Sequence, residues 1–258
     1  MSINHKKVAV IIPAFNEEQS IALVVTDFMG VRDDSKTVID DIIVCDNRST
    51  DDTASLAKKA GARVVHETQP GYGSACLKGI ESLRTNGRDT PDYVVFADGD
   101  YSVNANQVHQ LLKELEEGAD IVIGSRENTG LCQGAMGWHQ RLGNRMATAL
   151  IRLLWREKMS DLGPFRAIKY SRLLELDMQD RTFGWTVEMQ VKAIQAGFDY
   201  REVPVSTRCR LGVSKISGTV RGTIGAAVGI FSKIFQLYIH EKEFVDSIHT
   251  VNQTFKAR

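Results

Sequence analysis

The segment Tyr93-Val94-Val95-Phe96-Ala97-Asp98-Gly99-Asp100-Tyr101 is an apolar run that ends in two carboxylates separated by a glycine. The apolar run predicts a buried strand. In extended backbone, residues two positions apart point to the same side, and a glycine between them permits a tight turn with room for a ligand. Carboxylates suit Mg²⁺ or Mn²⁺, which usually share substrate phosphates. We therefore expect Asp98 and Asp100 to bind a divalent cation, the alternative being a polar turn after a strand.

Around this segment, short apolar runs alternate with helix-like segments through the first half of the chain. The apolar runs are Val8–Ile12, Asp41–Cys45, Arg63–His66, Tyr93–Ala97 and Asp120–Gly124. This alternation predicts an α/β fold, with a mostly parallel central sheet and helices on both faces. Ligands of such sheets bind outside the carboxyl ends of the strands.

Polar or small residues follow four of these runs. The four loops are Pro13–Glu17, Asp46–Asp51, Gly71–Ala75 and Asp98–Asp100. Their shared position predicts one composite ligand site. We expect Pro13 and Phe15 to form an apolar wall for a nucleobase, and Glu17 and Asp46 to accept hydrogen bonds from the base or the ribose. For Glu17, a charge at a helix N-terminus is an equally good interpretation.

The glycines Gly71 and Gly73 leave two positions without a Cβ atom. They predict either a close approach of the backbone to a ribose or phosphate, or a tight turn with close helix packing.

The charge distribution divides the chain. Residues 1–140 contain 13 Lys/Arg and 21 Asp/Glu, whereas residues 141–233 contain 16 and 8. The basic half predicts an anionic partner, and its amphipathic helices, expected over 138–158 and 219–239, predict peripheral contact with a membrane. It lacks the interleaved aromatic residues of a nucleic-acid platform, so a nucleic-acid partner is not expected.

The 258 residues fit one large domain with an extension. We expect a domain over 1–218, with halves 1–126 and 127–218, and an amphipathic helical extension over 219–258. The N-terminus lacks the apolar core of a signal peptide, and no run of about 18 apolar residues occurs. The four cysteines have the spacing of neither a zinc site nor a disulfide framework. These features predict a reducing, cytoplasmic location, with association at the cytoplasmic face of a membrane.

Three motifs of the first half resemble glycosyltransferase family 2, whose fold is the nucleotide-sugar-binding GT-A type. Val10–Glu18 is similar to the family's opening motif, Val44–Thr53 to its acidic turn, and Asp98–Asp100 to its metal-binding D-x-D. The resemblance extends over about residues 7–126. It implies nucleotide-sugar binding by the rim of the sheet. The nucleotide-binding residues expected on this basis are Pro13, Phe15, Asn16, Glu17, Asp46, Gly71, Gly73, Asp98 and Gly99.

Segments of the second half resemble more loosely the branch that contains dolichyl-phosphate mannose and glucose synthases. These segments are Gly124–Arg126, Ser160–Arg166, Glu202–Pro204 and Gly212–Lys215. The resemblance implies an inverting, metal-dependent transfer of a sugar, with a UDP-hexose favoured as donor, to a polyprenyl phosphate. The residues expected to bind the acceptor or its phosphate are Arg126, Arg141, Arg145, Arg166, Arg210 and Lys215.

Two alternatives stay open. If the acceptor is a soluble or polysaccharide hydroxyl, a carboxylate must take its proton. Glu188 and Asp161 are the candidates, and with Asp100 they complete the expected catalytic set. Met189 follows Glu188 where the family commonly has an aspartate, which favours the phosphate acceptor. A non-catalytic nucleotide-binding module is the second alternative.

Overall fold

The computed structural model describes residues 6–85, 90–127, 138–212 and 220–246. The strands are β1 (Val8–Ala14), β2 (Arg32–Asp33), β3 (Lys36–Thr37), β4 (Asp41–Asp46), β5 (Arg63–His66), β6 (Tyr93–Phe96), β7 (Ile121–Ser125), β8 (Arg166–Lys169) and β9 (Tyr200–Pro204). The helices are α1 (Ile21–Met29), α2 (Thr53–Lys59), α3 (Tyr72–Thr85), α4 (Val108–Glu116), α5 (Trp138–Trp155), α6 (Tyr170–Glu175), α7 (Trp185–Gln195) and α8 (Val220–Ile239).

The central sheet has seven strands in the order β5-β4-β1-β6-β8-β7-β9. Strand β1 pairs in parallel with β4 and β6, β4 with β5, and β7 with β9. Strand β8 is antiparallel to both of its neighbours, β6 and β7. Strands β2 and β3 form a separate antiparallel pair. The predicted α/β fold with a mostly parallel sheet is confirmed.

The two faces of the sheet form separate cores because side chains alternate along each strand. In β1, Val8, Val10 and Ile12 pack with the buried residues of α1 and α4. Ala9 and Ile11 point to the opposite face, where α3 and α7 supply the packing. Helices therefore cover both faces, and the carboxyl edge of the sheet is left for loops.

A third cluster joins α5, α7 and α8. Its buried members include Ile151 of α5, Val191 of α7 and Ile234 of α8. Helix α8 thus packs on the rest of the fold through one face, as expected for an amphipathic helix. Within the described ranges, no helix is long and apolar enough to cross a membrane.

The cysteine prediction needs a correction. Cys45 and Cys76 are buried free thiols, but Cys209 is disulfide-bonded. Spacing along the chain cannot show which distant loops meet, so it failed here. The cysteine pattern consequently gives no support to a reducing compartment.

Candidate active site

The polar loops predicted to form one site meet at the carboxyl edge of the sheet. Ala14, the last residue of β1, is paired with Asp46, the last residue of β4. The Asn16 side chain accepts a hydrogen bond from the backbone N–H of Thr50 (2.8 Å), which joins the first loop to the second. The Asn47 side chain accepts one from the N–H of Gly71 (2.9 Å), which joins the second loop to the third.

The fourth loop carries Asp98, which is held by the Tyr72 hydroxyl. This hydroxyl donates to Asp98 Oδ1 at 3.1 Å. Burial, together with the neighbouring negative charge of Asp100, raises the pKa of Asp98 to about 6. Ionising Asp98 is costly because it is buried and lies beside a second carboxylate. A bound cation would offset that repulsion and stabilise the ionised form.

Asp100 is buried and has partners on both carboxylate oxygens. Its Oδ1 accepts from the backbone N–H of Ser102 at 3.0 Å, and its Oδ2 lies 2.6 Å from a guanidinium nitrogen of Arg210. The turn that follows Asp100 is tight, since Tyr101 has a φ of 65°, in the left-handed region. The guanidinium of Arg208 lies over the Tyr101 ring, 4.6 Å from its centroid, and supports this turn.

The donor set of Asp98 and Asp100 fits a divalent cation that also binds a substrate phosphate. Two carboxylates supply hard oxygen ligands, whereas Mg²⁺ and Mn²⁺ complete their shells with water and phosphate. Within the described ranges, no group of three or more His, Cys, Asp or Glu side chains surrounds a closed metal site. The predicted pair is therefore suited to a shared site, and its metal role stays a prediction.

A cleft opens beside this pair. Its lining residues are Asp98, Ser102, Val103, Gly124, Arg126, Gln140, Pro164, Phe165, Val205, Ser206, Thr207 and Arg210. The cleft therefore combines one carboxylate of the pair with two guanidinium groups. Such a surface can bind phosphate and neutralise it.

Arg126 lies in the cleft, but it is not an isolated cation. Its Nε and a terminal nitrogen donate to the two carboxylate oxygens of Asp161 at 2.8 and 2.7 Å. Burial alone would raise the pKa of Asp161, but Arg126 outweighs it and the pKa is lowered. Asp161 is 1% exposed. It is thus a poor candidate for a general base, and its place in the structure is to hold Arg126 at the cleft.

Glu188 does not have the environment of a general base either. It is 2% exposed, and its carboxylate accepts hydrogen bonds from the backbone N–H groups of Gln179 and Asp180. Lys192 Nζ lies 3.1 Å from Glu188 Oε1. These contacts fix the turn before α7. The sequence showed an acidic residue in a helical segment but not the turn that folds back over it.

Arg166 was expected at the acceptor, but the structure contradicts a direct role. Its side chain is 0% exposed and donates to the backbone carbonyls of Gly163 (3.1 Å) and Thr186 (2.9 Å). The guanidinium also lies over the Trp185 ring, 5.8 Å from the centroid. Arg166 is therefore a buried brace between the loop before β8 and the start of α7.

The residues expected to bind the nucleobase or the ribose differ in their exposure and in their hydrogen-bond partners. Pro13 is buried within β1, whereas Phe15 is 44% exposed and available to a ligand. The Asp46 carboxylate lies 3.0 Å from His66 Nδ1 and accepts from the N–H of Ser49. The Glu17 carboxylate accepts from the Ser20 hydroxyl at the start of α1. The geometry tests none of these nucleotide roles, which stay predictions.

The glycines of the third loop have a packing role. A Cβ atom on Gly73 would lie 2.1 Å from the carbonyl oxygen of Asp180, and one on Gly71 would lie 2.0 Å from that of Arg181. The N–H groups of Gly73 and Ser74 donate to this neighbouring segment. The tight-turn interpretation accounts for both glycines, and contact with a nucleotide stays a prediction. At Gly99 a Cβ would meet its nearest neighbours at an ordinary 3.5 Å.

Of the remaining acceptor candidates, two are not among the residues that line the cleft, and the third lies outside the described chain. Arg141 is exposed on α5, and Arg145, 75% exposed, lies 3.8 Å from Glu127. Lys215 lies outside the described residues.

Sequence reasoning missed the residues that position others. Tyr72 was not identified, although it directly precedes Gly73 in a loop that was. Glu202 accepts hydrogen bonds from Tyr200 (2.7 Å) and the N–H of Ser160 (2.9 Å), which fixes the segment that carries Asp161. No local pattern reveals such partners, because the contacts join distant segments.

Comparison with known proteins agrees with this geometry. The family model described as Glycosyl transferase family 2 matches residues 9–175. The chain is 35% identical to an uncharacterized glycosyltransferase of Mycobacterium tuberculosis (strain ATCC 25618 / H37Rv), over 88% of this chain and 97% of the relative. It is 29% identical to the dolichyl-phosphate hexose transferase of Haloferax volcanii, over 86% of this chain and 90% of that protein.

Among solved structures, the fold is similar to that of glucosyl-3-phosphoglycerate synthase from Mycobacterium tuberculosis in complex with Mn²⁺, uridine diphosphate and phosphoglyceric acid. The TM-score is 0.71 at 20% sequence identity, and the match covers 91% of this chain and 79% of the other. At this identity the likeness shows the shared fold.

Proposed function

The chain belongs to glycosyltransferase family 2, and from that premise we propose that it transfers a hexose from a nucleoside-diphosphate sugar to a polyprenyl phosphate. A UDP-sugar is the favoured donor, and inversion at the anomeric carbon is the expected stereochemistry. The reaction is placed at the cytoplasmic face of a membrane, where a lipid phosphate is accessible to a peripheral protein.

The donor assignment rests on the carboxylate pair at the rim. Asp98 and Asp100 would hold Mg²⁺ or Mn²⁺, which when bound neutralises charge on the leaving diphosphate. The solved structure of similar fold contains Mn²⁺ and uridine diphosphate, and this supports a similar donor here. The exposed Phe15 and the buried Asp46 are proposed to contact the base and the ribose.

Both carboxylates considered as general bases are already held by other groups of the protein, and this observation carries the acceptor assignment. Asp161 is held by Arg126, and Glu188 by Lys192 and two backbone N–H groups. A hydroxyl acceptor needs a carboxylate that can take a proton, whereas a phosphate acceptor is already an anion. Arg126 and Arg210 line the cleft beside Asp98 and suit such an anion. The name of the Haloferax relative, a dolichyl-phosphate hexose transferase, supports the same class of acceptor.

The test is sugar transfer from radiolabelled UDP- and GDP-sugars to a short-chain polyprenyl phosphate, with Mn²⁺ or Mg²⁺. We expect label in the organic phase with at least one donor, lost on addition of EDTA and in Asp100→Ala. Glu188→Gln serves as the contrasting variant, since it should retain turnover per folded molecule.

Three outcomes would contradict the proposal. Release of nucleoside diphosphate without labelled lipid would show a different acceptor, and a loss of about 10²–10⁴ in kcat for Glu188→Gln would indicate a general base and thus a hydroxyl. Nucleotide binding without any turnover would support the non-catalytic alternative.

A further inference from the structure

The large exposed apolar side chains are concentrated on two helices. Of the eleven such residues in the described ranges, seven lie on α5 and α8. They are Leu142, Met146, Leu153, Val228, Phe235, Tyr238 and Ile239. Single exposed apolar residues are ordinary on protein surfaces, but a cluster on adjacent elements marks an interaction surface.

On α5 the exposed face consists of two parallel stripes. Leu142, Met146 and Leu153 are 51%, 53% and 76% exposed and follow helical spacing. The exposed arginines at 141, 145 and 152 each lie one position before one of these residues and so form an adjacent stripe. The buried face of the helix is a different one, centred on Ala147 and Ile151.

Helix α8 adds a second apolar stripe. Val228, Phe235 and Ile239 are 63%, 53% and 73% exposed. The helix packs on α5 through its opposite face, and Tyr238 meets Trp155 edge to face, with ring centroids 6.0 Å apart. Aromatic side chains with one polar end are favoured where apolar and aqueous phases meet.

The charge of this surface indicates which kind of partner it can bind. Residues 138–156 contain no Asp or Glu, and neither do residues 203–240. A second copy docked through the same face would bury arginine side chains against two helices that supply no acidic partner. An anionic lipid surface instead satisfies both stripes, because headgroups attract arginine while the apolar side chains enter the interface.

The first turn of α5 also lies beside the candidate active site. Gln140, near the N-terminal end of α5, lines the cleft together with Asp98 and Arg126. The apolar stripe begins two residues later, at Leu142, on the opposite side of the helix. A lipid whose phosphate lies in the cleft would therefore have to pass the N-terminal end of α5 to place its hydrocarbon chain beside that stripe.

We infer that the exposed faces of α5 and α8 dock this protein on an anionic lipid bilayer and orient the cleft toward that bilayer. The orientation rests on the proposed lipid-phosphate acceptor. The docking itself does not, because it follows from the exposed apolar and basic side chains.

The experiment measures co-sedimentation of the full chain with sucrose-loaded vesicles. One set consists of phosphatidylcholine alone and the other contains phosphatidylglycerol as well. The test variants are Met146→Glu/Leu153→Glu and Arg152→Glu. The matched control is Leu23→Glu/Met29→Glu, which adds the same charges at two exposed apolar positions of α1, 45% and 43% exposed. Circular dichroism checks that each variant is folded.

We expect the wild-type chain and the α1 control to bind the anionic vesicles and both α5 variants to lose about tenfold or more in partition coefficient. Turnover of a short-chain polyprenyl phosphate in detergent should not change in Met146→Glu/Leu153→Glu, so failure of docking and failure of the proposed function are separated. Vesicle binding that is unchanged in the α5 variants would overturn the inference. So would a wild-type dimer, seen by light scattering, that Met146→Glu/Leu153→Glu converts to a monomer without loss of vesicle binding.

Discussion

Arg210 forms an ion pair with Asp100, its guanidinium nitrogen 2.6 Å from Asp100 Oδ2. The carboxylate oxygen proposed to bind a cation is therefore already engaged by a side chain from a distant loop. A cation bound at this oxygen would compete with Arg210 for its negative charge. The released guanidinium lies in the same cleft and can bind a phosphate instead.

Removing this competitor should strengthen cation binding in the absence of substrates. We expect Arg210→Gln to raise the Mn²⁺ affinity about two- to tenfold, since the ion pair is partly exposed and modest in energy. The same variant should lower kcat/KM for polyprenyl phosphate about tenfold or more. Calorimetric titration with Mn²⁺ measures the first effect.

Arg201→Gln is the control for net charge. Arg201 pairs with Glu114 and Asp199 and does not line the cleft. Equal Mn²⁺ affinities in the two variants would show that the Arg210–Asp100 pair does not compete with the cation.

The Tyr72 hydroxyl is predicted to position Asp98 for the cation. Tyr72→Phe removes the hydrogen bond but keeps the ring, which meets Trp185 with centroids 6.0 Å apart. Because that bond favours the ionised carboxylate, its loss should weaken Mn²⁺ binding about tenfold. Tyr200→Phe, which removes a hydroxyl hydrogen-bonded to Glu202 and Gln190, should reduce stability without this effect. A Tyr72→Phe variant with wild-type affinity would show that the hydroxyl has no such role.

Glu188 is predicted to matter for stability rather than for chemistry. Glu188→Gln keeps the size of the side chain but removes the charge that faces Lys192 and two backbone N–H groups. We expect a loss of about 1–3 kcal/mol in the free energy of unfolding, measured in urea. Turnover with polyprenyl phosphate, corrected for the folded fraction, should stay within about twofold of wild type.

The Arg126–Asp161 pair should make stability depend on acidic pH. The pKa of Asp161 is lowered in the folded state, so its contribution is fully present above the unfolded value of about 3.9 and is lost as the pH falls through the lowered folded value. Asp161→Asn should therefore be less stable at pH 7 and show a weaker decline in acid. Urea unfolding from pH 7 to pH 3 gives both results, and parallel curves for the two proteins would contradict the assignment.

Two glycines provide opposite tests of packing. Gly73→Ala places a Cβ 2.1 Å from the Asp180 carbonyl oxygen, and the backbone must move to admit it. We expect a loss of about 2 kcal/mol or more. Gly143→Ala, on α5 with nothing within 4 Å of its Cβ, should gain about 0.5–1 kcal/mol in thermal or urea unfolding. A much smaller loss of stability in Gly73→Ala would show that the loop can move to admit the methyl group.

The sequence predicted well what depends on local pattern. Alternating runs identified the strands, and the rule that parallel strands share a carboxyl edge placed Asp46 and Asp98 on one rim. It predicted poorly what depends on distant partners. Nothing near Arg166 shows that its guanidinium is enclosed by backbone carbonyls, and nothing near Glu188 shows that a turn covers it. The amphipathic pattern over 138–158 likewise did not show that Leu142, Met146 and Leu153 are exposed while Ala147 and Ile151 face the core.

Strand β8 has a mechanical consequence. It comes from the second half of the chain, yet it lies between β6 and β7 and hydrogen-bonds to both. Strand β6, which precedes Asp98, and strand β7, which precedes Arg126, are therefore joined through β8 in one continuous sheet. No hinge lies between these two strands. Any closure of the cleft around a donor and an acceptor must therefore come from the loops at the rim and from side chains such as Arg210, while the sheet itself stays rigid.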